Sequence, residues 1–285
     1  MLHRIVLISV LLLISFNLVG QPTIEGIIKD GKSMKGLAYV NVGVVGKNVG
    51  TVTDSNGKFQ LIIDEKYDDN ELRISMVGYE SKTFKVAEFK QLMGNESEIT
   101  LDEAAYQMDE VFVYGEKFKG RKLRERILGN ETESRNNKTG FDANLLGNEM
   151  GIVIKTKRRP TFIKDFSIYI TDNDYNTFKF RINFYNLRNG LPDQNILKEN
   201  IIVTSSMKEG KLTVDLSQYN IVVEDDFFVS MEWIEDMGDH GLFFSTDISG
   251  AASPTITRTT SQGKWREVGK MAFGTGIGIT TTVQY

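Results

Sequence analysis

From residue 21 to about residue 102, apolar and polar positions alternate in short runs. Ile24 and Ile28 fall on one face of the first run, and Val40, Val42 and Val44 share a face of the second. The clearest signal lies at residues 50–61. Gly50, Thr51 and Val52 lead into Asp54, Ser55, Asn56 and Gly57, four turn formers whose short side chains bond the local backbone or accept positive φ. Phe59, Leu61 and Ile63 then alternate with Lys58, Gln60 and Ile62, as a strand with one buried face does. The stretch predicts a hairpin. Leu72, Ile74 and Met76 alternate next, residues 79–86 predict a further strand after Gly78, and Ile99 and Leu101 close the set. About seven short strands separated by turns predict a small β-sandwich with Greek-key links.

Residues 149–285 repeat the pattern on a larger scale. Phe166, Ile168 and Ile170 alternate with Ser167, Tyr169 and Thr171, while Phe178, Phe180, Ile182 and Phe184 alternate with Lys179, Arg181, Asn183 and Tyr185. This clean period of two predicts one buried and one wet face. Residues 201–205, 212–216, 221–223 and 227–234 predict further strands, in the last of which Phe227, Val229, Met231 and Trp233 share a face. Ile277, Ile279, Thr281, Val283 and Tyr285 alternate in a final one. Too few long amphipathic strands precede it for an outer-membrane barrel, so it reads as the last strand of the sandwich. About eight strands over this length fit a jelly-roll-like sandwich. The fold class is therefore all-β, two sandwiches joined by residues 103–148. In that connection Leu123, Ile127 and Leu128 have helical spacing and predict a short basic helix, and the polar residues 131–142 predict an exposed loop.

Several motifs of the first half follow one another at characteristic distances. They are Ile24 and Gly26; Leu37-Ala38-Tyr39-Val40-Asn41-Val42; the residues 50–61 turn; and Ile74-Ser75-Met76-Val77-Gly78-Tyr79-Glu80. Together, over residues 22–102, they resemble the carboxypeptidase regulatory-like domain family. The resemblance implies a transthyretin-type, seven-stranded sandwich that is not catalytic and serves as an accessory or interaction domain. Such domains often begin envelope proteins, including TonB-dependent outer-membrane receptors, and Met108 to Gly115 looks like the segment that follows the domain there. Those receptors continue into a plug and a large barrel, whereas about 170 residues remain here, too few for that barrel. Residues 215–221 followed by 227–233 resemble only a module of uncharacterised envelope proteins, which implies no activity.

The start of the chain adds a compartment. His3 and Arg4 precede an apolar run from residue 5 to 16, and Gly20 stands before Gln21. This is the form of a secretory signal peptide cleaved between Gly20 and Gln21, since the run is shorter than the ~20 residues a spanning helix needs. The protein is expected to be exported, to the periplasm or the outer membrane. There is no cysteine, which excludes disulfides, thiolate metal sites, a thiol nucleophile and a lipid on an N-terminal cysteine. At 285 residues with 40% hydrophobic content the chain is large enough to hold together by packing alone. Loss of residues 1–20 moves the formal net charge from −4 to −5, a poor balance for nucleic-acid binding.

Candidate chemistry is sparse. His240 is the single histidine after residue 20 and sits in a loop-like segment, without the partner that a nucleophilic triad or a zinc site requires. Glu224, Asp225, Asp226, Glu232, Glu235, Asp236 and Asp239 include carboxylates enough for a glycosidase pair or a calcium site, but their spacing selects neither. Asp172-Asn173-Asp174 lacks the closing Glu of an EF-hand loop and reads as a turn. No catalytic residue, metal ligand or cofactor is assigned. Tyr169, Tyr185 and Trp265 are the candidate ligand surface, because an exposed aromatic on a wet sandwich face stacks against sugars, whereas Trp233 shares an apolar face and reads as core. Lys119, Arg121, Lys122 and Arg124, within a run of six basic residues and one acidic from Lys117 to Arg126, form either a contact for anionic lipid or a solvated helix face. The expected function is non-catalytic binding or scaffolding in the cell envelope, with another envelope protein or a glycan as partner and peripheral contact with the outer membrane. The alternatives are a glycan-binding or glycan-hydrolysing protein, or an accessory of a TonB-dependent receptor.

Overall fold

The computed structural model describes residues 23–104, 123–141, 145–238, 241–268 and 275–285, and within them the chain is nearly all β. The expected signal peptide with Gly20 and Gln21, the segment 108–115, Lys119, Arg121, Lys122 and His240 lie outside the described residues.

The first part contains β1 (Thr23–Asp30), β2 (Asn41–Val44), β3 (Gly50–Val52), β4 (Lys58–Ile62), β5 (Glu71–Ser75), β6 (Lys82–Lys85) and β7 (Glu98–Leu101). They form two sheets, β4-β1-β7 and β3-β2-β5-β6. Ile28, Val42, Phe59, Leu72 and Ile74 fill the space between them. The alternation after the turn is realised: Phe59, Leu61 and Ile63 are buried, and Lys58, Gln60 and Ile62 are exposed. Asp54 Oδ1 accepts hydrogen bonds from the N–H groups of Asn56 and Lys58, both at 2.8 Å, and Gly57 takes a φ of +80°.

The expected hairpin is nevertheless a corner. β3 pairs with β2, and β4 pairs with β1, so the turn carries the chain from one sheet to the other. Local turn chemistry dictates the reversal, but burial of the two apolar faces decides which neighbours the strands find. A second departure follows β6. The strand expected over residues 79–86 ends at Lys85, and α1 (Val86–Asn95) begins. Val86, Phe89 and Met93 are buried at helical spacing, and the Phe89 ring lies 6.2 Å from Phe59.

The second part starts within the expected connection, with β8 (Glu125–Gly129) and β9 (Lys138–Gly140). It continues through β10 (Glu149–Ile154), β11 (Thr161–Ile163), β12 (Asp165–Asn173), β13 (Phe178–Arg188), β14 (Leu191–Asn195), β15 (Ile201–Ser205) and β16 (Gly210–Asp215). The remainder are β17 (Val222–Val223), β18 (Phe227–Trp233), β19 (Leu242–Asp247), β20 (Ile256–Arg258), β21 (Arg266–Glu267), β22 (Gly276–Ile277) and β23 (Ile279–Gln284). One sheet runs β14-β13-β18-β10-β20-β21, with β15 also on β13. The other runs β17-β11-β23-β12-β19-β22, and β16, β8 and β9 join it on β12, β23 and β19. Phe166, Ile168 and Ile170 of β12 pack between the sheets with Phe180, Ile182 and Phe184 of β13, and Trp233 is core as expected.

The basic helix expected around residues 123–128 is absent where the chain is described: Glu125 to Gly129 pair strand to strand with β23. Three apolar residues in six positions suit either period. Pairing with the strongly alternating β23 satisfies the backbone, with Leu128 buried and Arg126 exposed. The loop expected at 131–142 likewise supplies β9, which pairs with β19. Strands outnumber expectation because several are two or three residues long, too short to show a period.

Candidate functional site

The outer face of β13 is not wet. Arg181 is 1% exposed, Asn183 1% and Tyr185 7%. The sheet register explains what lies there. Arg181 pairs with Glu232, Glu232 with Glu149, and Glu149 with Arg258, so four charged residues form one row across β13, β18, β10 and β20. The period of two puts their side chains on the side away from the core.

Each carboxylate is tied to one guanidinium. Arg181 Nη1 donates to Glu232 Oε2 at 3.1 Å, and Arg258 Nη2 donates to Glu149 Oε2 at 2.6 Å. Asn183 Nδ2 bridges the two carboxylates, donating to Glu149 Oε1 at 2.9 Å and Glu232 Oε2 at 3.0 Å. Ser230 Oγ and Tyr185 Oη also donate to Glu149, at 2.5 and 3.2 Å. Burial, with the neighbouring Glu149, pushes the Glu232 carboxyl up against the pull of Arg181. Burial also pushes the Tyr185 hydroxyl well above its usual range, and Glu149 adds to the shift. Burial is the strongest single influence on Arg258 and opposes its charge, but Glu149, Tyr185 and Glu232 together outweigh it and hold the guanidinium more firmly protonated. Among the described residues, Arg181 Nε, Arg258 Nε and Glu232 Oε1 have no hydrogen-bond partner.

The first sandwich covers this row. Arg181 Nη2 donates to the carbonyl of Tyr39, a residue held at φ +63°. A bulky residue in the left-handed region costs about 1–3 kcal/mol, and the bond to a buried guanidinium helps hold it there. Lys179 Nζ donates to Tyr39 Oη at 2.8 Å and Glu235 Oε1 at 3.1 Å. The segment after β20 locks the other side: Ser261 Oγ donates to Asn41 Oδ1 at 3.0 Å, and Gln262 Nε2 to Ser75 Oγ at 2.8 Å. Gly43 and Gly50 permit this approach, since a Cβ on either would lie 2.3 or 2.4 Å from the Ser261 carbonyl oxygen. Tyr39, Val52 and Ile234 add an apolar patch to the seam.

Between the two parts remains a cavity of about 350 Å³. Arg181, Asn183, Tyr185 and Arg258 form its floor, Arg73, Ser75 and the residues 76–79 turn its opposite wall, and Asp193, Gln194 and Asn195 its rim. Glu149 and Glu232 are not in the lining. They support the arginines from behind, and among the described residues no pair of carboxylates faces the cavity. Asp225 pairs instead with Arg159, Glu235 with Lys179, and Asp226 accepts the N–H of Thr156 at 2.8 Å.

The expected aromatic platform does not form. Tyr169 lies on β12 in the other sheet, whereas Tyr185 and Trp265 meet edge to face at 5.7 Å. Tyr185 is buried, and the guanidinium of Arg258 covers Trp265 at 4.6 Å from the ring centroid. The wet-face expectation failed because a neighbouring domain occupies that face. The signal available in sequence was the set of charged residues at alternate positions of otherwise apolar strands, Glu149, Arg181 and Glu232. Of the expected lipid-contact residues, Arg124 is described; it is exposed and lines a small hollow of about 230 Å³ with Arg126, Lys157, Arg158 and Tyr285.

Fold and cleft define a protein of two β-sandwich parts joined across a polar seam. Residues 24–113 match the model of the CarboxypepD_reg-like domain, and the first sandwich is a domain of that kind. No curated protein matches the chain. Among solved structures it is similar to the cysteine protease and lectin-like domains of Cwp84, a surface layer associated protein of Clostridium difficile, at 10% identity and a TM-score of 0.37. That match covers 83% of this chain and 45% of the other. It is also similar to the structure of the infectious bursal disease virus Gt strain, at 8% identity and a TM-score of 0.23, over 92% of this chain and 63% of that one. The chain thus spans less than half of the first and under two thirds of the second, and neither likeness bears on function.

Proposed function

We propose that the protein is an exported, non-catalytic binding or scaffolding protein of the cell envelope that holds its ligand in the cleft between the two sandwiches. The CarboxypepD_reg-like domain fits a non-catalytic binding module. The observation that carries the reading is the cleft itself, whose floor holds two buried guanidinium groups, each backed by a buried carboxylate outside the lining. Buried charges cost several kcal/mol each unless well paired, and ionisable groups with shifted titration gather at functional sites. The first sandwich supplies one wall, so it acts as part of the site and not as a spacer alone. The carboxylates act as supports for arginines, which speaks for binding and against acid–base hydrolysis. The exposed cations Arg124, Arg126, Lys157 and Arg158 support peripheral contact with anionic envelope components.

Cross-linking in intact envelopes, followed by fractionation and pull-down, tests the reading. Recovery with envelope material after passage through the export route is the expected result. Retention in the cytosol would overturn it, as would hydrolysis of a polysaccharide that Glu232→Gln abolishes.

A further inference from the structure

We infer that the cleft recognises a carboxylated saccharide, with Arg73, Arg181 and Arg258 converging on a uronate carboxylate and the surrounding amides reading the sugar hydroxyls. This rests on the binding role proposed for the cleft and names its ligand class.

The charge balance selects a monoanion. Arg181 and Arg258 are neutralised by Glu232 and Glu149 behind them. At the rim, Asp193 pairs with Arg188 at 2.8 Å. Arg73 is the surplus: it is exposed on β5, lines the cavity, and its side chain has no ion-pair or hydrogen-bond partner among the described residues. One uncompensated guanidinium matches one negative charge, which a carboxylate supplies and a phosphate dianion exceeds. Guanidinium groups present parallel N–H donors that fit a planar carboxylate. The orientation of the two buried arginines is set before any ligand arrives, because Glu232, Glu149 and the Tyr39 carbonyl hold them.

The rest of the lining suits hydroxyl groups. Gln194, Asn195, Asn41 and Gln262 carry amides, and amides both donate and accept as sugar hydroxyls do. A cavity of about 350 Å³ is at the small end of ligand sites, a size for a short saccharide and not for a folded partner. Trp265 stacks against Arg258, so its fluorescence reports on the floor of the cleft.

Titration calorimetry on the full chain tests this with methyl glucuronide and trigalacturonate, against methyl glucoside and glucose 6-phosphate. The uronides are expected to bind, with methyl glucoside roughly tenfold weaker or worse, since a charged hydrogen bond is lost. Arg73→Ala is expected to weaken uronide binding roughly tenfold while leaving the unfolding midpoint unchanged, because Arg73 is exposed. Uronide affinity should fall with added salt. Equal binding of methyl glucoside overturns the carboxylate assignment and leaves the cleft a sugar site. Tighter binding of glucose 6-phosphate overturns it in favour of a phosphate. Silence of every saccharide overturns the inference, and the envelope cross-linking result then decides separately whether the protein is a binding protein at all.

Discussion

Replacing Arg181 with Met tests whether the buried row holds the two sandwiches together. Arg181 is among the largest fully buried side chains, and it bonds both Glu232 in its own sheet and the Tyr39 carbonyl of the first sandwich. Methionine keeps much of the volume and removes every donor. Glu232 then stays buried with Asn183 as its donor, a situation that costs about 3–5 kcal/mol. The Tyr39 carbonyl loses its charged partner, which adds about 1–3 kcal/mol, offset in part by apolar contacts of the new side chain. A net loss of about 4 kcal/mol at pH 7 is expected, a large share of the 5–15 kcal/mol typical of a folded domain. Urea unfolding followed by tryptophan fluorescence and circular dichroism measures it. Arg181→Met combined with Glu232→Gln should recover roughly 2 kcal/mol relative to the sum of the single changes, because the stranded charge is gone. An Arg181→Met midpoint within about 1 kcal/mol of the parent, or strictly additive costs in the double variant, would refute the pairing argument.

Other outcomes follow from single contacts. Glu232 has a raised carboxyl in the folded state, so the stability it contributes is fully present below the ordinary carboxylate range and is lost as pH rises through its folded value; urea midpoints should fall from this group as pH rises above the ordinary carboxylate range, and Glu232→Gln should flatten that component, on the order of 1 kcal/mol per unit while it titrates. Gly43→Ala places a Cβ 2.3 Å from the Ser261 carbonyl oxygen and should cost about 1–3 kcal/mol in thermal unfolding. Thr53, fully buried, donates to the Leu37 carbonyl at 2.7 Å and accepts the Val40 N–H at 2.8 Å, so Thr53→Val should lose about 1–3 kcal/mol by the same assay.

Much of the architecture is legible along the chain because a strand's side-chain period is local. Phe166, Ile168 and Ile170, or Phe180, Ile182 and Phe184, declare a buried face within a handful of residues, and the Asp54 turn declares itself through hydrogen bonds to its own backbone. The match of residues 24–113 to a known domain agrees with motifs read in the same way. Alternation reports that two faces differ, but not what lies against the second one. Arg181, Asn183 and Tyr185 occupy the positions of a solvated face, yet another sandwich covers them. The row of Arg181, Glu232, Glu149 and Arg258 joins residues brought together by strand register, which chain order does not reveal. The corner at Asp54 and the strand at Glu125–Gly129 have the same origin: backbone groups pair with whichever edge the burial of distant side chains brings near. Local chemistry therefore accounts for the layers, and the cleft arises from the long-range contact of one layered part with the other.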